Sequence, residues 1–335
     1  MKAATRIRSL QPLQRRAFSS SPRRLDTYGF IGLGQMGYQM AKNLQLKLSP
    51  SDTVCLFDLN KEAMSSLAGE MKQSQAGGAA VQLADSALNA SKDADTVITV
   101  LPEPSHVKGV LELILTPDLP NRPRLFIDCS TIDPSTSRQV AKSVTDATSG
   151  SSHFVDAPMS GGVVGATAGT LTFMLGCADS LVPRTEPILL RMGKRVLHCG
   201  RQGTGLSAKL ANNYLLAINN IATAEAMNLG IRWGLEPKTL AGIFNVSTGK
   251  CWPSEINNPV PGVIETAPAS RDYAGGFGVS LMRKDLGLAI QAAEEADAKL
   301  ELASKAREVY EGAEKDDKCK GRDFSVVYRY MDGKE

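Results

Sequence analysis

The sequence is poor in the side chains that most often bind metals or form cross-links. Its 335 residues include three histidines, none in an HxxxH or HExxH pattern, so we expect no metal site. Its six cysteines are scattered without a CxxC pair, which indicates free thiols in a reducing compartment rather than a disulfide framework. No run of about 18 apolar residues occurs, so we expect no membrane span.

Acidic residues are absent from the first 24 positions, where seven lysines and arginines stand among several serines. This composition is typical of a transit peptide, and we expect residues 1–26 to be a disordered leader that directs the chain to the mitochondrial matrix. The whole chain has 38 bases and 35 acids, but without those seven bases it has 31 against 35, a net charge of −4. This acidic body does not favour nucleic acid as a partner, because phosphate binding needs clustered cations.

A short apolar run is followed by three glycines in the spacing GxGxxG. The segment, YGFIGLGQMGYQMAKNL at 28–44, contains Gly32, Gly34 and Gly37 before a helical pattern of apolar residues. Such glycines permit a tight turn, an approach of the backbone to a pyrophosphate and close packing of helix on strand. A second apolar run then ends at Asp58, whose carboxylate can accept ribose hydroxyls and would repel a 2′-phosphate. The sequence therefore predicts a dinucleotide site that favours NAD over NADP.

Further segments read as strands that alternate with helices, which predicts a parallel sheet with right-handed crossovers. Ligands of such sheets lie beyond the carboxyl ends of the strands. The predicted strands are 95–102, 124–131 and 153–160, and the candidates near their ends are Leu101, Pro102, His106, Ser130 and Thr131.

The stretch DAPMSGGVVGATAGTL, residues 156–171, is rich in small residues and follows a predicted strand. Ser160, Gly161 and Gly162 offer a hydroxyl and unobstructed backbone amides, which suits a carboxylate. A flexible loop is the alternative interpretation.

A long helix is predicted from Leu206 to about Trp233, with Gly205 before it and Gly234 after it. Its apolar residues cover more than one face, as in a helix buried between two domains. Lys209 and Asn213 lie four residues apart and share one face of this helix. A lysine can act as the base in an alcohol oxidation if burial and a nearby cation lower its pKa.

These segments resemble those of a known family. GFIGLGQMGYQMAKNL, DAPMSGGVVGATAGTL and GTGLSAKLANN are similar to the three signature segments of the β-hydroxyacid dehydrogenases. CWPSEINNPVPGV, YAGGFGVSLMRKDLGLA and RDFSVVYRY resemble the mitochondrial members that oxidise 3-hydroxyisobutyrate in valine breakdown. The similarity extends over about 28–330.

The resemblance implies roles for individual residues. Lys209 corresponds to the catalytic lysine, which acts as a general base in oxidation by NAD. The implied substrate contacts are Ser160, Gly161, Gly162, Asn213 and Lys284. The implied cofactor contacts are Gly32, Leu33, Gly34, Gln35, Met36, Gly37, Asp58, Leu101, Pro102, His106, Thr131 and Lys284, where His106 stands at a position at which relatives often carry Asn. Trp252 and Phe277, from the Pro- and Gly-rich run 245–291, are expected to shield the reacting carbon from water.

We therefore predict an α/β Rossmann-type N-terminal domain with a parallel-sheet core, residues 27–199, and an all-α C-terminal domain, residues 200–335. A long interdomain helix joins them. The expected substrate is a small hydroxyacid, and family resemblance implies a homodimer or homotetramer. The alternatives are a related short β-hydroxyacid dehydrogenase or semialdehyde reductase, acting on 3-hydroxypropionate or tartronate semialdehyde, a non-catalytic dinucleotide-binding protein and, less favoured, a 6-phosphogluconate enzyme.

Overall fold

The computed structural model describes residues 25–73 and 77–335, so residues 1–24 of the predicted leader lie outside the described residues. Within these two segments, nine strands form one sheet in the order β3-β2-β1-β4-β5-β6-β8-β7, with β9 paired to β8. The strands are β1 Thr27–Ile31, β2 Thr53–Phe57, β3 Ala80–Leu83, β4 Thr96–Thr99, β5 Leu125–Asp128, β6 His153–Asp156, β7 Met159–Ser160, β8 Leu171–Gly176 and β9 Gly193–Gly200.

The first six strands are parallel to one another, and their spatial order 3-2-1-4-5-6 is that of a Rossmann sheet. The predicted parallel-sheet core is therefore confirmed. The sheet continues differently beyond β6, because β8 runs antiparallel to β6 and β7 and parallel to β9. The predicted strand over 153–160 is in fact two strands, β6 and β7, with Ala157 and Pro158 between them.

Helices cover both faces of the sheet and form most of the C-terminal half. Those of the first half are α1 Gln35–Lys47, α2 Lys61–Gln73, α3 Ala87–Lys92, α4 Pro104–Ile114, α5 Pro134–Ala147, α6 Gly162–Ala168 and α7 Val182–Leu189. Those of the second half are α8 Thr204–Arg232, α9 Pro237–Val246, α10 Trp252–Glu255, α11 Val279–Glu295, α12 Ala303–Lys315 and α13 Val327–Tyr330. Two apolar cores lie against the sheet, and a third is formed among the C-terminal helices.

The long helix α8 belongs to both halves of the described chain. Its first turns contact the strands, whereas its later turns pack against α9, α11, α12 and α13. Gly203 before it and Gly234 after it have φ values of +90° and +93°, which suit glycine and bound the helix. Inside the helical core, the buried Asn220 amide donates to the hydroxyl of Tyr310 and to the carbonyl oxygen of Phe324, both at 3.0 Å.

The Pro- and Gly-rich run is tied to the C-terminal segment by one buried carboxylate. Asp323 accepts hydrogen bonds from the side chain of Asn257 at 3.1 Å and from the backbone N–H groups of Phe277 at 2.8 Å and Ser325 at 3.0 Å. A Cβ on Gly276 would lie 2.1 Å from Asp323 Oδ2, so only glycine fits beside this carboxylate. Polar contacts therefore help to order the part of this run that precedes α11, where only short helices occur.

Candidate active site

The glycine loop between β1 and α1 lets the helix approach the strands closely. Gly32 has a φ of +97°, and a Cβ there would lie 2.2 Å from the carbonyl oxygen of Val100. A Cβ on Gly37 would lie 2.0 Å from the carbonyl oxygen of Gly32. A Cβ on Gly34, in contrast, would meet no atom within 4 Å, so open space lies beside the start of α1. The free N–H groups of a helix N-terminus facing open space fit the pyrophosphate of a dinucleotide.

Asp58 lies directly after β2 and is held against the glycine loop. The N–H of Leu33 donates to its Oδ2 at 2.5 Å, and the N–H of Asn60 donates to its Oδ1 at 2.7 Å. A carboxylate has lone pairs beyond these two bonds and can still accept ribose hydroxyls. Leu33 is buried, whereas Gln35 is exposed and Met36 is half-buried.

The ends of β4 and β5 are joined by hydrogen bonds at the same edge of the sheet. The N–H of Leu101 donates to Ser130 Oγ at 2.8 Å. Lys284, which comes from α11, donates through Nζ to the carbonyl oxygens of Pro102 and Thr131, each at 2.8 Å. The structure thus brings four of the predicted cofactor residues together, and one of them comes from the C-terminal half.

His106 lies in the first turn of α4 and is exposed. The N-terminus of α4 follows β4, at the edge where the other candidates meet. A contact between this imidazole and the cofactor stays a prediction.

Lys209 lies on the buried side of α8 and is only 8% exposed. Burial lowers the pKa of its ammonium, the carboxylate of Asp285 works against this effect, and the positive charge of Lys284 lowers the pKa further. A lysine in these surroundings loses its proton more readily than one at the surface, as a general base requires.

Asn213 lies one turn beyond Lys209, and its Nδ2 donates to Asp285 Oδ2 at 2.7 Å. Asp285 Oδ1 lies 3.9 Å from the Nζ of Lys284. Asp285 is 3% exposed, and burial raises the pKa of its carboxyl while Lys209 and Lys284 lower it. The positive charge of Lys284 therefore offsets the negative charge of Asp285 beside Lys209.

Asp285 was missed as a site residue, although a signal was present in the sequence. Met282, Asp285, Leu286 and Ala289 recur at helical intervals and share the buried face of α11. An acid on an apolar stripe needs a partner, because burial of an unpaired charge is costly.

The Ser160 segment lies directly after β6. Ser160 pairs with Thr172 of β8 and is half-buried, and Gly161 and Gly162 have φ values of +132° and +59° and are exposed. The short helix α6 begins at Gly162, so this segment is an ordered turn rather than a flexible loop. Its contact with a substrate carboxylate stays a prediction.

Three aromatic rings form a row in the C-terminal half. Trp252 stacks on Phe324 with ring centroids 6.4 Å apart, and Phe277 meets Phe324 edge-on at 6.0 Å. Phe324 is buried, Phe277 is half-buried and Trp252 is 49% exposed. The expected role of Trp252 and Phe277 as a shield against water is a prediction that depends on the bound state.

Over residues 25–73 and 77–335, no group of three or more His, Cys, Asp or Glu side chains could hold a metal ion. In the same residues, no helix has the length and apolar character needed to cross a bilayer. A cavity of about 360 Å³ lies at the opposite end of the strands, but Arg122 in its wall pairs with Asp95 at 2.5 Å and Arg184 donates to the Asp95 carbonyl oxygen.

Comparison with known proteins identifies the family. Residues 27–200 match a sequence model described as the NAD binding domain of 6-phosphogluconate dehydrogenase. Residues 203–331 match one described as NAD-binding of NADP-dependent 3-hydroxyisobutyrate dehydrogenase. A Dictyostelium discoideum protein named probable 3-hydroxyisobutyrate dehydrogenase, mitochondrial, is 44% identical over 315 residues, which cover 91% of this chain and 90% of that protein. The chain belongs to the 3-hydroxyisobutyrate dehydrogenase family.

Other members of the 3-hydroxyisobutyrate dehydrogenase family agree with this result. The mitochondrial enzyme of Drosophila melanogaster is 44% identical over 304 residues, or 90% of this chain and 88% of that protein. The solved structure of the Mycobacterium tuberculosis enzyme with L-serine is 37% identical and superposes with a TM-score of 0.82, covering 92% of this chain and 99% of that chain. The predicted family, fold class and NAD-binding character are confirmed, whereas the individual site residues and the domain limits stay predictions.

Proposed function

We propose that this protein oxidises 3-hydroxyisobutyrate to methylmalonate semialdehyde with NAD, in the mitochondrial matrix, as a step of valine breakdown. The observation that carries the proposal is the buried Lys209, whose pKa is lowered by burial and by Lys284, at the contact of α8 with α11. The relatives named as 3-hydroxyisobutyrate dehydrogenases support the choice of substrate.

The dinucleotide would lie along the carboxyl edge of the sheet. The glycine loop from Gly32 to Gly37 would receive the pyrophosphate, and Asp58 would accept the ribose hydroxyls. Leu101, Pro102, His106 and Thr131 would line the nicotinamide side, where Lys284 already donates to two of their carbonyl oxygens.

The chemical step needs a hydride acceptor and a base. Bound NAD supplies the acceptor at nicotinamide C4. Neutral Lys209 takes the hydroxyl proton as the carbonyl forms, so the alcohol loses one hydride and one proton in total. Ser160, Gly161 and Gly162 hold the substrate carboxylate through a hydroxyl and backbone amides, and Asn213 orients the substrate.

The test is NADH formation from a panel of acids by the purified protein. We expect 3-hydroxyisobutyrate to give the highest kcat/KM among itself, 3-hydroxypropionate, L-serine, glycerate and 6-phosphogluconate. L-Serine is included because it accompanies the Mycobacterium tuberculosis relative. A higher kcat/KM for 3-hydroxypropionate or glycerate would instead favour the related short β-hydroxyacid dehydrogenase or semialdehyde reductase.

Lys209→Ala tests the role of the proposed base. Lys238→Ala, which removes an exposed lysine, is its control. Loss of a general base should reduce kcat by about 10²- to 10⁴-fold, while the Kd for NAD stays within about twofold. Normal turnover by Lys209→Ala would contradict the assigned role, and a wild-type protein that binds NAD but oxidises none of the acids would favour a non-catalytic function.

We also propose a homodimer or homotetramer that associates through the C-terminal helices. Several large apolar side chains are exposed on α8 and α9 or close to them, namely Leu229, Trp233, Leu235, Ile243 and Val246. Exposed apolar patches of this kind often mark contact surfaces. Sedimentation of the wild type and of Val246→Glu tests the proposal, since a monomeric wild type would contradict it and a variant that dissociates would support it.

A further inference from the structure

The N-terminus of the helix that carries Lys209 is capped by a side chain from another part of the fold. Asp156, the last residue of β6, accepts from the N–H of Gly203 through Oδ1 at 2.6 Å and from the N–H of Leu206 through Oδ2 at 2.9 Å. The helix has no cap from its own Gly203, which lacks a side chain. Asp156 therefore satisfies two of the backbone donors that every helix leaves free at its start.

The carboxylate of Asp156 is enclosed between β8 and α8. A Cβ on Gly176 would lie 2.5 Å from each of its oxygens. A Cβ on Gly205 would lie 2.9 Å from Oδ2 and 2.1 Å from the carbonyl oxygen of Met174. Any side chain at these two positions would displace the helix or the strand, so the glycines set how close α8 comes to the sheet.

The anchored turn is also the turn that leads to Lys209. Leu206 and Lys209 are three residues apart and lie on neighbouring positions of one face, separated by about 4.5 Å along the helix axis. Asp156 is likewise four residues before Ser160, with which the proposed carboxylate-binding turn begins. One side chain thus connects the two segments on which the proposed base and the proposed substrate contacts lie.

We propose that Asp156 is a positioning residue, which fixes the first turn of α8 to the end of β6 and so sets Lys209 relative to the Ser160–Gly162 turn. This inference rests on the proposed function. Two backbone bonds to a charged acceptor make a stiffer link than apolar packing alone, because charge-assisted hydrogen bonds are directional and strong. Misplacement of a catalytic group by about 1 Å can reduce turnover about 100-fold.

Burial and the nearby Asp128 disfavour the negative charge of Asp156, whereas the N-terminus of α8 favours it. Asp128 is its partner in the register of β5 and β6, and the negative charge of Asp128 raises the pKa of Asp156. Burial raises the pKa of Asp156 to about 6, and the N–H bonds of Gly203 and Leu206 work against this rise. Because both groups that face its oxygens from α8 are N–H donors, they favour the ionised carboxylate, as the anchor requires.

Asp156→Asn tests the inference, with Asp52→Asn as a matched control. Asp52 is also buried and also accepts two backbone N–H groups, from Asp26 at 3.3 Å and Ser49 at 3.0 Å, but it lies at the opposite end of the strands. An asparagine keeps one acceptor and turns an NH₂ group toward the second backbone donor. We expect Asp156→Asn to reduce kcat at least tenfold with the Kd for NAD within twofold, and Asp52→Asn to leave both unchanged.

Hydrogen exchange without cofactor or substrate gives a readout that is independent of turnover. Peptides spanning residues 200–210 should exchange faster in Asp156→Asn than in wild type, and at the wild-type rate in Asp52→Asn. Unchanged exchange in Asp156→Asn, or faster exchange with normal kcat, would overturn the inference. If both variants show the expected exchange rates but the wild type oxidises no acid, the result contradicts the proposed function and leaves the anchoring contact of Asp156 intact.

If Asp156→Asn does not fold, Asp156→Glu takes its place. It keeps the charge and both acceptor oxygens but lengthens the side chain by one methylene, about 1.5 Å, which displaces the helix rather than releasing it. A reduced kcat with normal NAD binding supports positioning, and a wild-type kcat overturns it.

Discussion

The side-chain amide of Asn213 donates to the carboxylate of Asp285 over 2.7 Å, and this bond joins α8 to α11 one turn beyond Lys209. This hydrogen bond holds the negative charge of Asp285 beside Lys209, the proposed base. Lys284, which precedes Asp285 in α11, supplies a positive charge. The pKa of Lys209 therefore depends on a balance among burial, Asp285 and Lys284. Two substitutions shift this balance in opposite directions.

We expect kcat/KM to rise with pH as Lys209 loses its proton. Asp285→Asn should shift this rise to lower pH. The carboxylate stabilises the ammonium of Lys209, so its removal lowers the pKa further and the base loses its proton in more acidic solution. Asparagine retains an oxygen that can accept from Asn213. The measurement is the pH profile of kcat/KM with saturating NAD, and a shift to higher pH would contradict the assignment.

Lys284→Gln should shift the rise of kcat/KM with pH to higher pH. The positive charge of Lys284 disfavours the ammonium of Lys209, so a neutral amide in its place raises the pKa of the base. Glutamine can still donate to the carbonyl oxygens of Pro102 and Thr131, which limits the effect on structure. Opposite shifts in the two variants identify Lys209 as the titrating group, whereas shifts of the same sign would point to another residue.

Some of the site could be predicted because its residues are linked by local sequence. The glycine loop and Asp58 belong to one β-α-β unit, whose geometry fixes their spacing. Lys209 and Asn213 share a helix whose C-terminal glycine, Gly234, was predicted correctly. The predicted N-terminal glycine, Gly205, lies in the first turn of this helix, which begins after Gly203. The buried state of Asp285 depends instead on contact with a distant helix, which the spacing within α11 cannot specify.

The edge strands escaped prediction for a different physical reason. Three of the four residues of β3 are exposed, and β9 is mostly exposed or half-buried. Such strands are held by backbone pairing to a neighbour, so they need no alternating apolar pattern. The antiparallel strands β7 and β8 beyond β6 were also missed. The glycines after Ser160 resemble a loop in the sequence, and the pairing of Met159 and Ser160 with β8 is visible only in the structure.

Asp58→Asn should weaken the discrimination against NADP. Asparagine keeps an oxygen for the N–H of Leu33 but lacks the charge that repels a 2′-phosphate. We expect the ratio of kcat/KM for NAD to that for NADP to fall about tenfold or more, measured with one hydroxyacid at saturation. Asn60→Ala, which removes a nearby polar side chain but leaves the carboxylate, should keep the wild-type ratio, and an unchanged ratio in Asp58→Asn would exclude the ribose contact.

Asp128→Asn should flatten the dependence of stability on pH. Asp128 is fully buried, and burial raises the pKa of its carboxyl to about 6 despite hydrogen bonds from Thr99 and Ser130, while its Oδ2 has no hydrogen-bond partner among the described residues. Between about pH 4 and 6, the folded protein retains a proton that the unfolded chain has released, so stability falls as the pH rises. The full loss is about 3 kcal/mol at neutral pH.

Asparagine cannot ionise, but its NH₂ group would replace the unpartnered oxygen at a cost of about 1–3 kcal/mol at every pH. The variant should therefore be less stable than wild type below about pH 4, and the difference should shrink or reverse by pH 7. Asp128→Asn also removes the negative charge that raises the pKa of Asp156. The lower pKa of Asp156 further reduces the loss of stability with rising pH. Urea unfolding of the protein without cofactor between pH 4 and 7.5 measures this, and parallel curves for the two proteins would show that Asp128 does not titrate in this range.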